Sequence, residues 1–398
     1  MNKRHVFSIF LCLLMLFTTG CWDRKELNER AIWLATGWDV AEKGGIKISG
    51  QIVVPSNMQS QGGGGGSGSS QQGFFTVVEE GMNLGEALQN IQPKLSREGF
   101  FGQRRVVIVS EEFAKRGLKK ELDANNRSPD VSIRTDLFVV RGATAEEALS
   151  ESTPLEKPPA LAALKKHRES GGRGDVAYLE FLIAANNEGI APTLPALEVQ
   201  KPLVKGKGAS GKKALNMVGV AIFDDNLQLL GYLNMDEDRD LLWIMGKLTK
   251  RVISTPIKDG NASLNLTKIK RKIVPTIGKN NEIKINVTLN GEGTLYENNT
   301  NLNVKQIHNT KFLEKEFEKQ AIKEVSQTIK KVQKDYGVDV FGFGEIIHIK
   351  HPQQWKSLRK DWNSHFAQAD ISVKADLTVK RIGLSGPSLF FREGEIQQ

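Results

Sequence analysis

A short apolar run near the N-terminus, with a cysteine behind it, constrains this chain more than any other feature. Lys3-Arg4 precedes residues 6–17, which are apolar except for Ser8. This run is shorter than the roughly 20 residues that a membrane-spanning helix needs. A basic start, a short apolar core and small residues behind it are typical of a secretory signal peptide. We therefore predict that residues 1–20 form a signal peptide and that the rest of the chain is exported.

Cys21 indicates what kind of signal peptide this is. It directly follows Thr18-Thr19-Gly20, and this stretch resembles a bacterial lipoprotein processing site, although Thr18 stands where that pattern usually has Leu. In that pathway diacylglycerol alkylates the thiol and the chain is cut just before it. Two acyl chains hold a protein stably on a membrane. We predict Cys21 as the lipid attachment site; the alternatives are an ordinary secretory signal with an unrelated cysteine, or an uncleaved anchor.

The rest of the chain has no thiol and no second apolar segment of membrane-spanning length. Cys12, the one other cysteine, lies inside the predicted signal peptide. The mature chain therefore has no disulfide, thiolate metal site or cysteine nucleophile, and the covalent diacylglycerol on Cys21, with or without an N-acyl chain, is the one attached group we expect. The net charge of +9 is mild and dispersed. It favours an anionic lipid surface over nucleic acid as a neighbour.

Residues 21–204 predict an N-terminal α/β domain. Apolar strand-like runs alternate with helix-like periodicity, a pattern typical of a sheet covered by helices. Predicted strands lie at 31–40, 46–54, 74–79, 105–110, 137–141 and 194–199, and predicted helices at 84–95, 111–122 and 176–183. The segment 59–72 is almost entirely Gly, Ser and Gln, which predicts a disordered loop. A polar loop is predicted at 167–174.

The basic, glycine-rich segment 205–213 predicts a linker or hairpin tip. Residues 214–398 then predict an α+β region, divided into subdomains of about 214–300 and 301–398. A hairpin is expected at 218–232 and an alternating strand at 283–289 that turns at Asn290-Gly291. Apolar residues spaced by three or four predict one long helix over 312–336. The fold class is therefore mixed α/β and α+β, with an antiparallel C-terminal sheet packed by that helix.

One glycine-rich segment and one acidic segment partly match known ligand-binding motifs, but each lacks residues that its motif requires. Residues 206–213 approach a phosphate-binding loop, but Lys213 stands where Ser or Thr must hold magnesium, and a strand follows where a helix is needed. Residues 236–240 offer the first acids of a calcium loop. Leu241 occupies the position that requires glycine, and Lys247 the position of the bidentate Glu. A helix N-terminus explains these acids better.

A zinc site is an alternative interpretation of three of the six histidines, His348, His351 and His365. Glu345 lies near them. The run 345–350 predicts a strand, which would place His348 and His351 on opposite faces, so we expect ordinary structural histidines. No catalytic serine motif or paired carboxylate stands out. We therefore predict no enzyme activity, no catalytic residue, no metal and no bound cofactor.

Five stretches resemble the C subunits of spore germination receptors, the Ger(x)C lipoproteins. Cys21-Trp22-Asp23 lies within the first, and Phe341-Gly342-Phe343-Gly344-Glu345 lies within the fourth. The stretches are 20–28, 104–110, 189–195, 338–345 and 352–355. They occur in the order expected for the family and span nearly the whole mature chain.

The resemblance implies a non-catalytic, lipid-anchored subunit of a germinant receptor. It implies two integral-membrane partners, the A and B subunits, and a place on the outer face of the cytoplasmic membrane, which becomes the spore inner membrane. The alternative is a solute-binding lipoprotein of a transporter, which would need two similar lobes around a cleft. A tethered surface hydrolase is a third class.

Overall fold

The computed structural model describes residues 29–53, 73–128, 132–150, 158–170, 177–200, 214–258, 260–279 and 281–383, together with residues 156 and 396. The predicted signal peptide, Cys21, the loop 59–72 and the linker 205–213 lie outside the described residues. Within the described part of the chain, no helix has the length and apolar character needed to cross a membrane.

The chain up to residue 233 forms one mixed sheet of nine strands. Their order is β3-β2-β1-β5-β6-β7-β8-β9, and β4 pairs beside β1. The strands β1, β4, β5, β6 and β7 run parallel, whereas the pairs at the two ends of the sheet are antiparallel. The strands are β1 (Arg30–Val40), β2 (Ile46–Val53), β3 (Phe74–Gly81), β4 (Glu98–Phe100), β5 (Val106–Ser110), β6 (Asp136–Arg141), β7 (Thr193–Gln200), β8 (Ala214–Phe223) and β9 (Leu229–Leu233).

Helices cover both faces of this first sheet. In β5, Val107 and Val109 pack into one apolar cluster, while Val106 and Ile108 pack into another on the opposite face. A strand buried on both faces reads as a continuous apolar run, which is why β5 was predictable. The helices are α1 (Leu84–Ile91), α2 (Glu111–Arg116), α3 (Lys119–Arg127), α4 (Ala145–Ser150), α5 (Pro159–Glu169) and α6 (Ala177–Ala185).

Two predicted segments of this half differ from the structure. The helix predicted at 111–122 is broken into α2 and α3, because Gly117 adopts φ +96° and ends the first of them. The loop predicted at 167–174 begins too early, since residues 167–169 form the last turn of α5. Pro159 starts α5, because proline is tolerated at the first position of a helix.

The remaining chain forms a second sheet of four strands, β10-β11-β12-β13, with one long helix against it. The first three strands are antiparallel, as predicted, and β13 is parallel to β12. The strands are β10 (Arg251–Ile257), β11 (Gly260–Ile277), β12 (Ile283–Asn298) and β13 (Asp370–Arg381). The helices are α7 (Met235–Met245), α8 (Ile307–Lys331), α9 (Phe343–Lys350), α10 (Pro352–Leu358) and α11 (Trp362–Gln368).

The long helix α8 confirms the prediction from its apolar spacing. Its buried face includes Leu313, Phe317 and Val325. It also reaches the edge of the second sheet. The amide of Leu377 in β13 donates to Glu318 Oε1 at 3.1 Å, and the amide of Val379 donates to Glu314 Oε1 at 2.8 Å.

Two local predictions in this half were wrong. Asn290-Gly291 is not a turn but lies inside β12, where Asn290 faces Lys270 of β11 and Asp376 of β13. Long neighbouring strands on both sides hold the chain extended there. Residues 345–350 are not a strand but part of helix α9.

The first sheet also extends beyond the predicted domain boundary. The hairpin expected at 218–232, which we assigned to the C-terminal region, forms β8 and β9 of the first sheet, because β8 pairs with β7 along its length. The second sheet takes β10–β12 from residues 251–298 and β13 from residues 370–381. Both predicted C-terminal subdomains therefore contribute strands to one sheet.

Candidate functional site at the junction of the two halves

Two segments from opposite halves of the chain cross where the halves are in contact, and we call this contact the crossing. They are residues 189–195, which lead into β7, and residues 338–345, which lead into α9. The amide of Ala191 donates to the carbonyl of Asp339 at 2.7 Å, and the amide of Glu345 donates to the carbonyl of Gly189 at 3.2 Å. These hydrogen bonds join the first sheet to the second half of the chain.

The Asp339 side chain organises this crossing. It is completely buried. Its Oδ1 accepts the amides of Phe341 and Gly342, both at 3.0 Å. Its Oδ2 accepts the amide of Gly344 at 2.8 Å and Nε1 of Trp362 at 3.0 Å. The carboxylate therefore fixes the start of α9 and connects it to α11.

Burial dominates the electrostatics of Asp339. Removal from water raises the pKa of its carboxyl to about 7, although the hydrogen bonds from Gly344, Trp362, Phe341 and Gly342 act in the opposite direction. Both oxygens are occupied by donors, so the group positions the backbone.

Two glycines at the crossing, Gly189 and Gly344, have no space for a side chain. A Cβ at Gly344 would lie 2.6 Å from Trp362 Nε1 and 2.7 Å from Gly189 Cα. A Cβ at Gly189 would lie 2.5 Å from the amide nitrogen of Glu345. Backbone therefore packs directly on backbone, which only glycine allows.

A cavity of about 480 Å³ lies beside the crossing. Its walls come from both halves, including α6, α7 and α9. Most of the lining is apolar, and several charged side chains also reach it. The charged and ionisable lining residues are His167, Glu180, Asp238, Lys247, Arg271 and Glu345.

The acids at 236–238 lie where the sequence placed them, at a helix N-terminus. Asn234 caps α7: its side chain accepts the amides of Asp236 and Glu237, and the Glu237 side chain accepts the amide of Asn234. This is a capping box, and acids in the first turn are favoured by the helix dipole.

The three C-terminal histidines lie on or between the short helices that follow the crossing. His348 stacks on Trp355 with ring centroids 5.8 Å apart. His365 Nε2 lies 3.6 Å from Asp361 Oδ2. His351 lies between α9 and α10. Among the described residues, no group of three or more His, Cys, Asp or Glu is placed to hold a metal ion.

Comparison with known proteins places both halves in one family. The model of the spore germination protein N-terminal domain matches residues 23–199. The model described as spore germination B3/GerAC like, C-terminal, matches residues 218–383. The chain belongs to the spore germination protein family.

Curated relatives of this family match over their full length. Spore germination protein KC of Bacillus subtilis (strain 168) is 28% identical, covering 96% of this chain and 97% of that protein. Spore germination protein B3 of the same organism is 24% identical, covering 97% and 100%. The crystal structure of the GerBC protein aligns with a TM-score of 0.56 at 20% identity, covering 87% of this chain and 96% of that one. This structural likeness supports the fold.

Family membership and fold together count against the transporter alternative. A solute-binding protein would require two similar lobes, whereas the two halves here are built on a nine-stranded and a four-stranded sheet of different topology. Residues 189–195 lie in the part of the chain that the N-terminal model matches, and residues 338–345 lie in the part that the C-terminal model matches. The crossing therefore joins the two matched domains. Both segments stood out in the sequence, but the contact between Asp339 and Trp362 was not predicted, because 23 residues separate them along the chain.

Proposed function

We propose that this chain is a lipid-anchored subunit of a spore germinant receptor. The observation that carries the proposal is the pair of germination-family matches, which begin at residue 23 and so follow directly on the predicted lipidation site at Cys21. The full-length relatives named as spore germination proteins support the same role.

The proposed location is the outer face of the cytoplasmic membrane, which becomes the spore inner membrane. Export by the signal peptide 1–20 and a diacylglyceryl group on Cys21 would hold the folded body at that surface. The integral-membrane A and B subunits are the proposed partners. Confinement to one membrane raises the effective concentration of the subunits for one another, which favours assembly without a large interface.

We propose further that the protein acts through contacts rather than catalysis. Asp339, the most strongly perturbed acid of the crossing, has both oxygens occupied by hydrogen-bond donors. That arrangement supports a role in fixing the two halves relative to each other.

The anchor is tested by changing each of the two cysteines. In sporulating cells labelled with palmitate, Cys21→Ala should lose the label, leave the membrane fraction and slow germination. Cys12→Ala is the matched control, because it removes the other thiol while leaving the processing site intact. A Cys21→Ala protein that stays in the membrane and supports normal germination would overturn the anchor.

The partnership is tested by affinity purification from detergent-solubilised spore membranes. A C-terminally tagged chain should recover integral-membrane A and B subunits of one receptor. Recovery of the tagged chain alone, under conditions where A and B subunits recover each other, would contradict assembly.

A further inference from the structure

The cavity beside the crossing has the size and lining of a small-molecule site. Its volume of about 480 Å³ lies within the range of roughly 300–1,000 Å³ that is usual for such sites. Apolar side chains such as Ile190, Leu241 and Ile346 form much of the wall. Ligand sites also occur preferentially between domains. The cavity is too small to hold more than a compact organic molecule.

Most of the charged groups on the cavity wall already have partners. Lys247 Nζ lies 2.9 Å from Glu180 Oε2. Glu345 accepts a hydrogen bond from the side-chain amide of Asn187. His167 Nδ1 lies 2.9 Å from Oδ2 of the buried Asp136. These groups are satisfied within the protein.

Asp238 and Arg271 are the exceptions. Arg271 has no acidic partner among the described residues, and its Nη2 donates to the backbone carbonyl of Met245 at 3.4 Å. The partly exposed side chain of Asp238 lines the cavity from the first turn of α7 and makes no hydrogen bond or ion pair within the described residues. Its neighbour Arg239 donates to Asp236 Oδ1 at 2.6 Å instead. Burial raises the pKa of Asp238 to about 6, and the charges of His167 and Arg239 act against that change. The group therefore remains largely ionised at neutral pH.

An ionised carboxylate on a largely apolar wall is stabilised when a cationic group pairs with it. We propose that this cavity binds a small primary ammonium compound with an apolar body, whose ammonium group pairs with the Asp238 carboxylate. A charge-assisted hydrogen bond supplies the missing partner, and the apolar walls accept the remainder of the molecule. A hard metal ion fits less well, because it needs six or more oxygen ligands.

The exposed rim is consistent with entry of such a molecule. Ile183 of α6 and Ile349 of α9 both line the cavity and are 58% and 71% exposed. They belong to opposite halves of the chain.

The test uses the full-length lipoprotein in nanodiscs of phosphatidylcholine, which carries no net charge to attract a cation. Isoamylammonium chloride is the probe, and isoamyl alcohol, an uncharged analogue of nearly the same shape, is the control ligand. Calorimetric titration, with empty nanodiscs subtracted, should show saturable binding of the ammonium compound. The alcohol should bind at least about tenfold more weakly, because it lacks the charge.

Variants then locate the binding. Asp238→Asn should weaken isoamylammonium binding at least about tenfold, whereas Asp236→Asn, in the same helical turn but largely exposed, should change it less than about twofold. Ala184→Leu, which fills the cavity from α6, should abolish binding without touching the carboxylate. No saturable binding by the wild type, or equal binding by Asp238→Asn, would overturn the proposal. The measurement needs no receptor partner, so its failure is separate from that of the proposed function.

Discussion

At the scale of single residues, Asp339 is the group on which the crossing depends. Each carboxylate oxygen accepts two hydrogen bonds. Asparagine at position 339 would replace one of these oxygens with an NH₂ group, which would face two hydrogen-bond donors. Asp339→Asn should therefore lower the free energy of unfolding by about 3–5 kcal/mol, the cost usual for breaking a buried charged network.

Urea denaturation followed by tryptophan fluorescence measures this change. Asp361→Asn is the control, because Asp361 precedes the same helix α11 but its side chain is 62% exposed. It should change the free energy of unfolding by less than about 0.5 kcal/mol. Equal effects of the two variants would show that the four hydrogen bonds at Asp339 contribute nothing particular.

The raised pKa of Asp339 predicts a pH dependence for the effect of Asp339→Asn. Burial raises that pKa from 3.8 to about 7. Between these values the folded protein holds a proton that the unfolded chain has lost, so stability from this group rises as the pH falls. The stability gap between wild type and Asp339→Asn should widen from pH 7 towards pH 5, by at most about 1.4 kcal/mol per pH unit. If the stability difference between the wild type and Asp339→Asn narrows as the pH falls, the pKa of Asp339 is not raised.

At the scale of elements, the start of α9 packs against the backbone of the first half. Gly344→Ala would force a Cβ to within 2.6 Å of Trp362 Nε1 and 2.7 Å of Gly189 Cα. We expect a loss of about 1–3 kcal/mol, as for overpacked cores. Gly85→Ala, on the exposed surface of α1, is the matched control and should be neutral or slightly stabilising. Thermal melting of both variants measures this, and similar melting temperatures would argue against close packing at Gly344.

Elements were predictable where local pattern and tertiary packing agree. The helix α8 has an apolar face at helical spacing, and β5 is a short continuous apolar run, so both were predicted. The strand β11 was missed, because Lys268, Lys270 and Lys272 resemble a solvated basic segment, although they alternate with apolar or half-buried residues. Helix α9 was mistaken for a strand, since its isoleucines favour extended chain. Asp339, five residues before Gly344, supplies the hydrogen bonds that start the helix.

The candidate site was less predictable than the fold. Residues 189–195 and 338–345 stood out in the sequence as similar to the family, but nothing in the sequence indicates that these two segments are in contact. The cavity depends on three helices brought together by two sheets, so Asp238 was read correctly as part of a helix N-terminus and no further. Cys21 required no tertiary information, and its lipidation remains a prediction.

At the scale of the whole molecule, the β8–β9 end of the first sheet belongs to the apolar core of the second half. Val220 and Leu233 of the first sheet belong to the same buried cluster as Phe317 of α8. Calorimetry should therefore show one unfolding transition. Phe317→Ala should lower its midpoint by removing about 3–5 kcal/mol, whereas Phe312→Ala, 43% exposed on the same helix, should lower it little. Two transitions, with only one moved by Phe317→Ala, would show that the halves unfold independently.

The glutamates of α8 have a consequence for how other chains can approach. Edge strands ordinarily offer free amides on which a foreign strand can add and extend the sheet. At Leu377 and Val379 those amides are already taken by side chains of the same molecule. A neighbouring subunit meeting this end of β13 must therefore recognise its side chains, not lengthen its sheet.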